Sequence, residues 1–222
     1  MRISVTDIKK RYGKKEVLKN ISFSASGGEC IGIIGKNGSG KSTLISILAG
    51  IIRADAGSFF VEDRDALKED TVRHDLVAYV PQGTPIIEEL SARDNLRMWY
   101  RPEDLKKQLE SGFLKVLGID EFLDVTAGKM SLGMKKRLSI GCAINNNPKV
   151  LLLDEPTAAL DLVCKEAVYA YLRAFMESGG VLILATHDIY EISMCSGCYL
   201  LKEGILEPYS YNNDMTDLLN RI

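Results

Sequence analysis

A glycine-rich segment near the N-terminus constrains the fold of this chain more than any other feature. Its residues, Gly-Lys-Asn-Gly-Ser-Gly-Lys-Ser at 35–42, follow an apolar run at 30–34 and precede apolar residues that recur at helical spacing. Glycines in such a loop let backbone N–H groups turn inward around a polyphosphate, and the N-terminus of the following helix adds a positive dipole. The order of strand, glycine loop and helix therefore predicts nucleotide binding beside a parallel sheet.

The same segment supplies the residues that we expect to hold the nucleotide. These are Gly35, Asn37, Gly38, Ser39, Gly40, Lys41, Ser42 and Thr43. Lys41 can reach the terminal phosphates, and the Ser42 hydroxyl can ligate Mg²⁺. The alternative is a glycine turn that caps an ordinary helix, but such a match arises by chance in roughly one chain of this length in a hundred.

Two carboxylates follow a later apolar run. Asp154 and Glu155 come directly after residues 150–153, at the strand end where open α/β sheets bind ligands. One carboxylate can hold Mg²⁺, directly or through water, while the other orients the attacking water or accepts its proton. Alone, the pair would be an ordinary charged loop. Together with the glycine-rich segment it predicts nucleotide hydrolysis.

Strand and helix patterns alternate on either side of a helical middle third. Two-residue alternation at 3–10 and 17–24 predicts an antiparallel strand pair, while apolar runs at 150–153 and 181–185 predict buried strands of a parallel sheet. From 91 to 146 the apolar period becomes helical. There we expect one helix to carry four apolar residues on a single face: Leu105, Leu109, Phe113 and Leu117.

These patterns predict an α/β fold with a parallel-sheet core, which together with the glycine-rich loop resembles the RecA-like core of P-loop NTPases. All 222 residues are expected to form one domain with an insertion. Its core comprises residues 1–82 and 148–222 and includes an antiparallel β subdomain. Residues 83–147 form the inserted helical subdomain. A final helix is expected within 212–222.

Charge and hydropathy exclude several classes of partner. The formal net charge is -2, so no global positive field draws the chain to nucleic acid, and no nucleic-acid partner is expected. The apolar runs fall far short of the roughly 20 residues that a membrane-spanning helix needs, and the N-terminus lacks a signal-peptide pattern. We therefore expect a cytoplasmic protein. Its five cysteines suit reduced core thiols, although Cys195 and Cys198 form one CxxC pair that leaves a metal or redox role open.

The order of motifs along nearly the whole chain resembles the nucleotide-binding domain of ABC ATPases. After the glycine-rich loop come Gln82, similar to the family's Q-loop glutamine, and Ser-Leu-Gly-Met-Lys at 131–135, similar to its signature. Ala-Ala-Leu-Asp at 158–161 resembles the D-loop, and Thr-His-Asp at 186–188 resembles the segment that carries the switch histidine. Tyr12 is similar to the aromatic residue that stacks on adenine.

This resemblance implies a set of roles around ATP and Mg²⁺. Glu155, His187 and Gln82 would be catalytic, and Ser42, Gln82 and Asp154 would hold Mg²⁺, the last through water. Tyr12 would stack on the adenine, and Asp161 would lie at a dimer contact. Each residue also has a structural interpretation. Gln82 can simply end a strand, His187 can be a loop histidine, and Tyr12 can be a strand-end aromatic that packs on the core.

The signature segment departs from the common Leu-Ser-Gly-Gly-Gln form. Ser131 and Gly133 remain, and by resemblance they bind the γ-phosphate of a nucleotide held on a partner subunit. Leu132 replaces a glycine and Met134 a glutamine, so a side chain enters where close backbone approach is expected. The form is similar to that of some bacterial multidrug and peptide-antibiotic exporter ATPases.

The function implied is that of an ATP-hydrolysing subunit of an ABC transporter, with exporters favoured. Two copies, as a homodimer or a heterodimer, would enclose two MgATP and drive a separate transmembrane permease from the inner face of the membrane. An exposed aromatic residue between Leu96 and Tyr100 would suggest where the permease docks. The alternatives are a soluble mechanical ATPase that acts on a protein or nucleic-acid complex, and a nucleotide-gated binding module with negligible hydrolysis.

Overall fold

The strands of the protein form two sheets. The computed structural model describes residues 1–211 together with residues 216, 218 and 221. Its strands are β1 (Arg2–Tyr12), β2 (Lys15–Ser26), β3 (Cys30–Ile34), β4 (Ala56–Val61), β5 (Arg64–Asp65), β6 (Val77–Val80), β7 (Val150–Asp154), β8 (Val181–Ala185), β9 (Gly197–Lys202) and β10 (Ile205–Tyr209). One sheet has the order β2-β1-β4-β5, and the other has the order β10-β9-β3-β8-β7-β6.

The larger sheet is parallel except at one edge. Strand β3 pairs in parallel with β8 and β9, and β7 pairs in parallel with β6 and β8, whereas β10 runs antiparallel to β9. Every residue of β3, β7 and β8 is buried, as expected for strands that are covered on both faces. The predicted parallel-sheet core is confirmed.

Helices lie around this sheet and fill the segment between β6 and β7. They are α1 (Lys41–Leu48), α2 (Asp70–Leu76), α3 (Ala92–Arg97), α4 (Pro102–Ser111), α5 (Phe113–Val116), α6 (Leu132–Ala143), α7 (Leu162–Glu177) and α8 (Ile189–Met194). The helical character of the middle third agrees with the sequence. The subdomain boundaries at 82/83 and 147/148 stay predictions.

Two apolar clusters cover the faces of the larger sheet. One joins the smaller sheet and α1 to the larger sheet and includes Ile3, Leu18 and Leu44. The other joins the larger sheet to helices α3 to α7 and includes Leu138 and Tyr171. The antiparallel pairing of β1 with β2 confirms the predicted strand pair, whose alternate side chains enter the first cluster. The sheet therefore holds its strand ends at a fixed edge between two packed layers.

The expectation of one helix carrying Leu105, Leu109, Phe113 and Leu117 is wrong. Helix α4 ends at Ser111, and Gly112 is extended at φ -101 and ψ -163. The side-chain carbonyl of Gln108 accepts a hydrogen bond from the Phe113 amide at 2.9 Å, and a Cβ on residue 112 would lie 2.2 Å from that oxygen. A glycine and a side-chain cap thus break the helix between two segments that both carry apolar residues.

Some elements have no counterpart in the sequence patterns. These are β5, α2, α8, β9 and β10. Both β9 and β10 extend the larger sheet at its edge, where half-exposed strands carry weak periodicity. Most of the final helix expected within 212–222 lies outside the described residues. No helix among the described residues has the length and apolar character needed to cross a membrane.

Candidate nucleotide-binding and hydrolysis site

Three neighbouring parallel strands bring the predicted motifs to one edge of the sheet. Strand β3 leads into the glycine-rich loop, β7 ends at Asp154, and β8 leads to Thr186 and His187. Backbone hydrogen bonds continue across this edge, from the Glu155 amide to the Ala185 carbonyl at 2.8 Å and from the Thr186 amide to the Ile33 carbonyl at 3.2 Å. The strand order therefore assembles segments that are far apart in sequence.

Lys41 is buried at the start of α1 inside the glycine-rich loop. Its ammonium group donates to the Gly35 carbonyl at 2.7 Å and to the Lys36 carbonyl at 3.3 Å. Burial lowers the pKa of Lys41, and the nearby carboxylates of Glu155 and Asp154 oppose that shift. A cation held in this way faces the loop interior, where a phosphate would compensate its charge.

The loop has the shape and the free polar atom of a phosphate cradle. Gly40, the residue before α1, lies in the left-handed region at φ 111. At Gly35 a Cβ would meet the Leu201 carbonyl at 2.5 Å and Ser39 Oγ at 2.7 Å, so only glycine fits there. Ser39 Oγ is buried and has no hydrogen-bond partner among the described residues. The unpaired hydroxyl and the N–H groups of the first turn of α1 fit a bound polyphosphate.

The side chains expected to hold Mg²⁺ lie beside this cradle. Asp154 is buried, and burial raises the pKa of its carboxyl, an effect that a hydrogen bond from Ser42 partly offsets. A buried carboxylate next to a hydroxyl is a hard-oxygen site whose charge a divalent cation would balance. The residues present therefore fit Mg²⁺.

Glu155 lies at the centre of a hydrogen-bonded cluster. Gln82 Nε2 donates to Glu155 Oε2 at 2.9 Å, and His187 Nδ1 lies 3.2 Å from Glu155 Oε1. The backbone of Glu155 is left-handed at φ 48, a conformation that non-glycine residues adopt mainly where the surroundings impose it. The structure thus brings all three predicted catalytic residues together, with Gln82 reaching Glu155 from the end of β6.

Polar residues that the sequence did not single out support the loop that carries His187. Asp188 caps α8 and accepts a hydrogen bond from Lys165 at 2.6 Å. Glu191 is buried and accepts a hydrogen bond from the Thr157 hydroxyl at 2.6 Å. These bonds link α8 to α7 and to the segment after Glu155. In the sequence, the only signal for these contacts is the polar residue Glu191 within the short segment that forms α8.

Ser131 and Gly133 occupy the first turn of α6. Ser131 is the N-cap, and its hydroxyl accepts a hydrogen bond from the Met134 amide at 3.2 Å. Gly133 packs against α7, where an added Cβ would lie 2.1 Å from Cys164 Sγ. Leu132 is 48% exposed, so its side chain points away from the body of the chain. Among the described residues no hydrogen bond connects Ser131 to the Glu155 cluster.

Asp161 and Tyr12 each lie at the end of a secondary-structure element. Asp161 caps α7 by accepting a hydrogen bond from the Cys164 amide at 2.8 Å, and this bond lowers the pKa of the Asp161 carboxyl. Tyr12 ends β1 with a half-exposed ring, 5.4 Å from the Lys10 ammonium. The ring is therefore not a core residue, and its stacking on adenine stays a prediction.

The cysteine pair has a different environment. Cys195 Sγ lies 3.2 Å from Cys30 Sγ, and Cys198 is buried nearby on β9. Within the described part of the chain, no three or more His, Cys, Asp or Glu side chains are arranged to hold a metal ion. A hydrogen bond with Cys198 lowers the pKa of the Cys195 thiol, but a hydrogen bond with Cys30 and burial raise it overall. A hydrogen bond with Cys195 and burial raise the pKa of the Cys198 thiol, and raised values are typical of unreactive core cysteines.

Comparison with known proteins places this site in a family. A family model described as ABC transporter matches residues 18–158. The Nod factor export ATP-binding protein I of Sinorhizobium fredii (strain NBRC 101917 / NGR234) is 31% identical over 207 residues, which are 91% of this chain and 60% of that protein. The linearmycin resistance ATP-binding protein LnrL of Bacillus subtilis (strain 168) is 30% identical over 222 residues, covering 98% of this chain and 71% of that protein. The chain thus spans 60% and 71% of the lengths of these two relatives.

Solved structures agree with this assignment. An ATP-binding subunit of an ABC transporter has the same fold, with a TM-score of 0.86 at 21% identity, covering 100% of this chain and 99% of that chain. The ATP-binding cassette MJ0796, in a dimeric post-hydrolysis state bound to ADP and Pi, has a TM-score of 0.80 at 26% identity and covers 94% of this chain and 100% of its own. This chain therefore belongs to the ABC transporter family, of which it carries the ATP-binding ATPase domain.

Proposed function

We propose that the chain is the ATP-hydrolysing subunit of an exporter, and that two copies close around two MgATP to drive a separate membrane permease. The observation that carries this proposal is the hydrogen-bonded cluster of Gln82, Glu155 and His187 at the sheet edge that also holds the buried Lys41. Such a cluster supports hydrolysis, because it holds a carboxylate in a fixed orientation near a phosphate-binding loop, where it can orient a water molecule.

Each residue of the cluster has a chemical task in this proposal. Glu155 orients the attacking water and accepts its proton, while Gln82 and His187 hold the two carboxylate oxygens. Lys41 moves from the loop carbonyls to the terminal phosphates and stabilises the charge that develops there. Mg²⁺ held by Ser42, Gln82 and Asp154 would neutralise phosphate charge.

Exposed apolar residues beside the signature and the D-loop support dimerisation. Leu162 is 76% exposed and Val163 is 80% exposed, directly after Asp161, and Leu132 adds a third apolar side chain. Apolar side chains in such positions favour contact with another protein surface. A second copy would cover them and bring its Ser131 and Gly133 to the nucleotide of the first. The partner copy can be identical or a related chain.

A groove on the helical side supports a permease partner. It has a volume of about 480 Å³ and is lined by Arg73, Tyr79, Trp99 and Asn145 among others. Trp99 is 57% exposed, and Met98 beside it is also exposed. The named relatives act in Nod factor export and linearmycin resistance, which favours an exporter. Binding there would hold the chain at the inner face of the membrane as a peripheral subunit.

Substitution of the base tests the hydrolytic part of the proposal. Glu155→Gln should keep ATP binding but remove the proton acceptor, so an ATP-bound dimer should accumulate and turnover should fall by at least about 100-fold. Light scattering after size exclusion measures the dimer, and phosphate release measures turnover. Glu166→Gln on the exposed face of α7 is the matched control. Wild-type turnover in Glu155→Gln would contradict the assigned role.

Co-purification separates the exporter from a soluble mechanical ATPase. The tagged chain is recovered from its native cells in mild detergent, with Trp99→Ala as a second bait. A stoichiometric multi-spanning protein that binds the wild-type chain and is depleted with Trp99→Ala supports the permease proposal. Recovery with soluble proteins alone would favour the alternative.

A further inference from the structure

Lys136 is a buried cation on α6, between the partly buried Lys135 and Arg137. It is 3% exposed, and its neighbours Leu138 and Ile140 belong to the apolar cluster on that face of the larger sheet. Its ammonium group donates to the Pro81 carbonyl at 2.6 Å and to the Gln82 carbonyl at 3.1 Å. No carboxylate among the described residues lies within ion-pair distance of Lys136. The bonds that hold this charge therefore go to two consecutive backbone carbonyls.

Burying the ammonium group of Lys136 without an ion-pair partner carries a desolvation cost. Burial lowers the pKa of Lys136 to about 8, although the carboxylates of Asp154, Glu191 and Glu155 attract the charged form from a distance. An apolar side chain of similar length would fill the same space without that desolvation cost. The ammonium group thus contributes to the position of the carbonyls more than to packing.

The two ends of this contact belong to different parts of the proposed ATPase cycle. Gln82 donates its side-chain amide to Glu155, so the Gln82 backbone sets the geometry of the base. Ser131, the N-cap of the same helix as Lys136, is the residue assigned to a nucleotide on the partner copy. Lys136 lies five residues after Ser131 in α6, and it hydrogen-bonds to the Gln82 carbonyl, so the helix and this one bond link Ser131 to Gln82.

We propose that Lys136 is a positioning residue that locks the backbone at Gln82 to the helix that carries Ser131, so that the two move together. This inference rests on the proposed function and deepens it. A shift of Gln82 at one nucleotide is then transmitted through a single ammonium group to the signature segment that faces the other nucleotide. In this proposal Lys136 touches neither nucleotide, and it acts through Gln82.

A double-mutant cycle in the full-length chain tests the link. The single variants are Lys136→Met, Lys136→Gln and Gln82→Ala, and each Lys136 variant is also combined with Gln82→Ala. Lys106→Met, on the exposed face of α4, is the control. We expect Lys136→Met to keep ATP affinity within about twofold of wild type but to lower kcat by about 10- to 100-fold, because a small misplacement of a catalytic group has effects of this size. The Hill coefficient for ATP should fall towards 1. Lys136→Gln, which keeps a donor, should recover part of the loss.

The Gln82→Ala background gives the decisive comparison. If Lys136 acts through Gln82, Lys136→Met should change kcat there by less than about twofold, because residues that act as a unit are non-additive. Equal fold-losses in both backgrounds, from whichever Lys136 variant folds, would overturn the inference, as would a folded Lys136→Met with wild-type kcat and Hill coefficient. Absence of turnover in both the wild type and Lys106→Met would instead contradict the proposed function.

Discussion

Gly133 packs so closely on α7 that a single added methyl group should destabilise the protein. In Gly133→Ala the new Cβ would lie 2.1 Å from Cys164 Sγ and 2.7 Å from Cys164 Cβ. Rotation of the thiol can move Sγ but leaves Cβ in place, so the helices themselves must shift. This glycine therefore has a packing role within the chain, in addition to any contact with phosphate.

The expected cost follows from the severity of that overlap. Extra methyl groups in a well-packed site cost about 1–3 kcal/mol, and a helical glycine replaced by alanine regains about 0.5–1 kcal/mol. Because a separation of 2.1 Å is a severe overlap, the upper part of that cost applies, about 2–3 kcal/mol, and the net loss is about 1–2.5 kcal/mol. For a domain of this length, that lowers the melting temperature by about 2 to 10 °C.

Urea unfolding in two backgrounds measures the effect. Gly133→Ala is compared with wild type, and Gly133→Ala with Cys164→Ala is compared with Cys164→Ala alone. Because Cys164→Ala removes the nearer atom, the cost of the new methyl group should fall by about 1 kcal/mol in that background. Gly83→Ala is the control, since a Cβ there would meet nothing within 4 Å. An equal cost in both backgrounds would refute the packing role.

Two further substitutions test the site. Lys41→Ala should lose the stabilisation by ATP, which for the wild type at an ATP concentration of about 100 times Kd amounts to about 2.7 kcal/mol, or about 5 to 11 °C in melting temperature. If ATP raised the melting temperature of the variant as much as that of the wild type, phosphate binding by Lys41 would be contradicted. Glu191→Gln should raise the melting temperature at pH 8, because burial raises the pKa of the Glu191 carboxyl above 4.5 and its ionisation then opposes folding. The wild type regains this stability as pH falls through the folded-state pKa of Glu191, so the higher melting temperature of the variant should approach that of the wild type towards pH 4.5. A difference in melting temperature that does not change with pH would refute the burial effect. Melting curves at pH 4.5, 6 and 8 measure it.

Local patterns predicted the fold class because its main elements carry strong periodicity. Strands β7 and β8 are uninterrupted apolar runs, and β1 and β2 alternate with a period of two. The break at Gly112 escaped prediction because apolar residues continue at helical spacing on both sides of it. Strands β9 and β10 escaped because some of their residues are exposed, which weakens the apolar pattern.

Candidate site residues could be proposed from the sequence because most of them lie directly after a recognisable strand or at a helix start, and their roles stay predictions. Their mutual contacts were not, since the bond from Gln82 to Glu155 joins residues 73 positions apart. Lys135, Lys136 and Arg137 form a short basic run, which by itself predicts a solvated face, but Lys136 is buried and the prediction is wrong for this residue. Nothing in the sequence distinguishes it from the partly buried Lys135 and Arg137 until the packing of α6 is known.

The sequence by itself determined the features that depend on the backbone within one segment. A loop that must turn its N–H groups inward needs glycines, and a buried parallel strand needs an apolar run, so Gly35, Lys41 and Asp154 could be assigned from local order alone. The tertiary structure decided which distant groups meet. The pairing of β7 with β6 and β8 places Glu155 between Gln82 and His187, and the packing of α6 on β6 and α7 buries Lys136 and closes Gly133 against Cys164. Such contacts arise from strand order and helix packing, which no local period encodes.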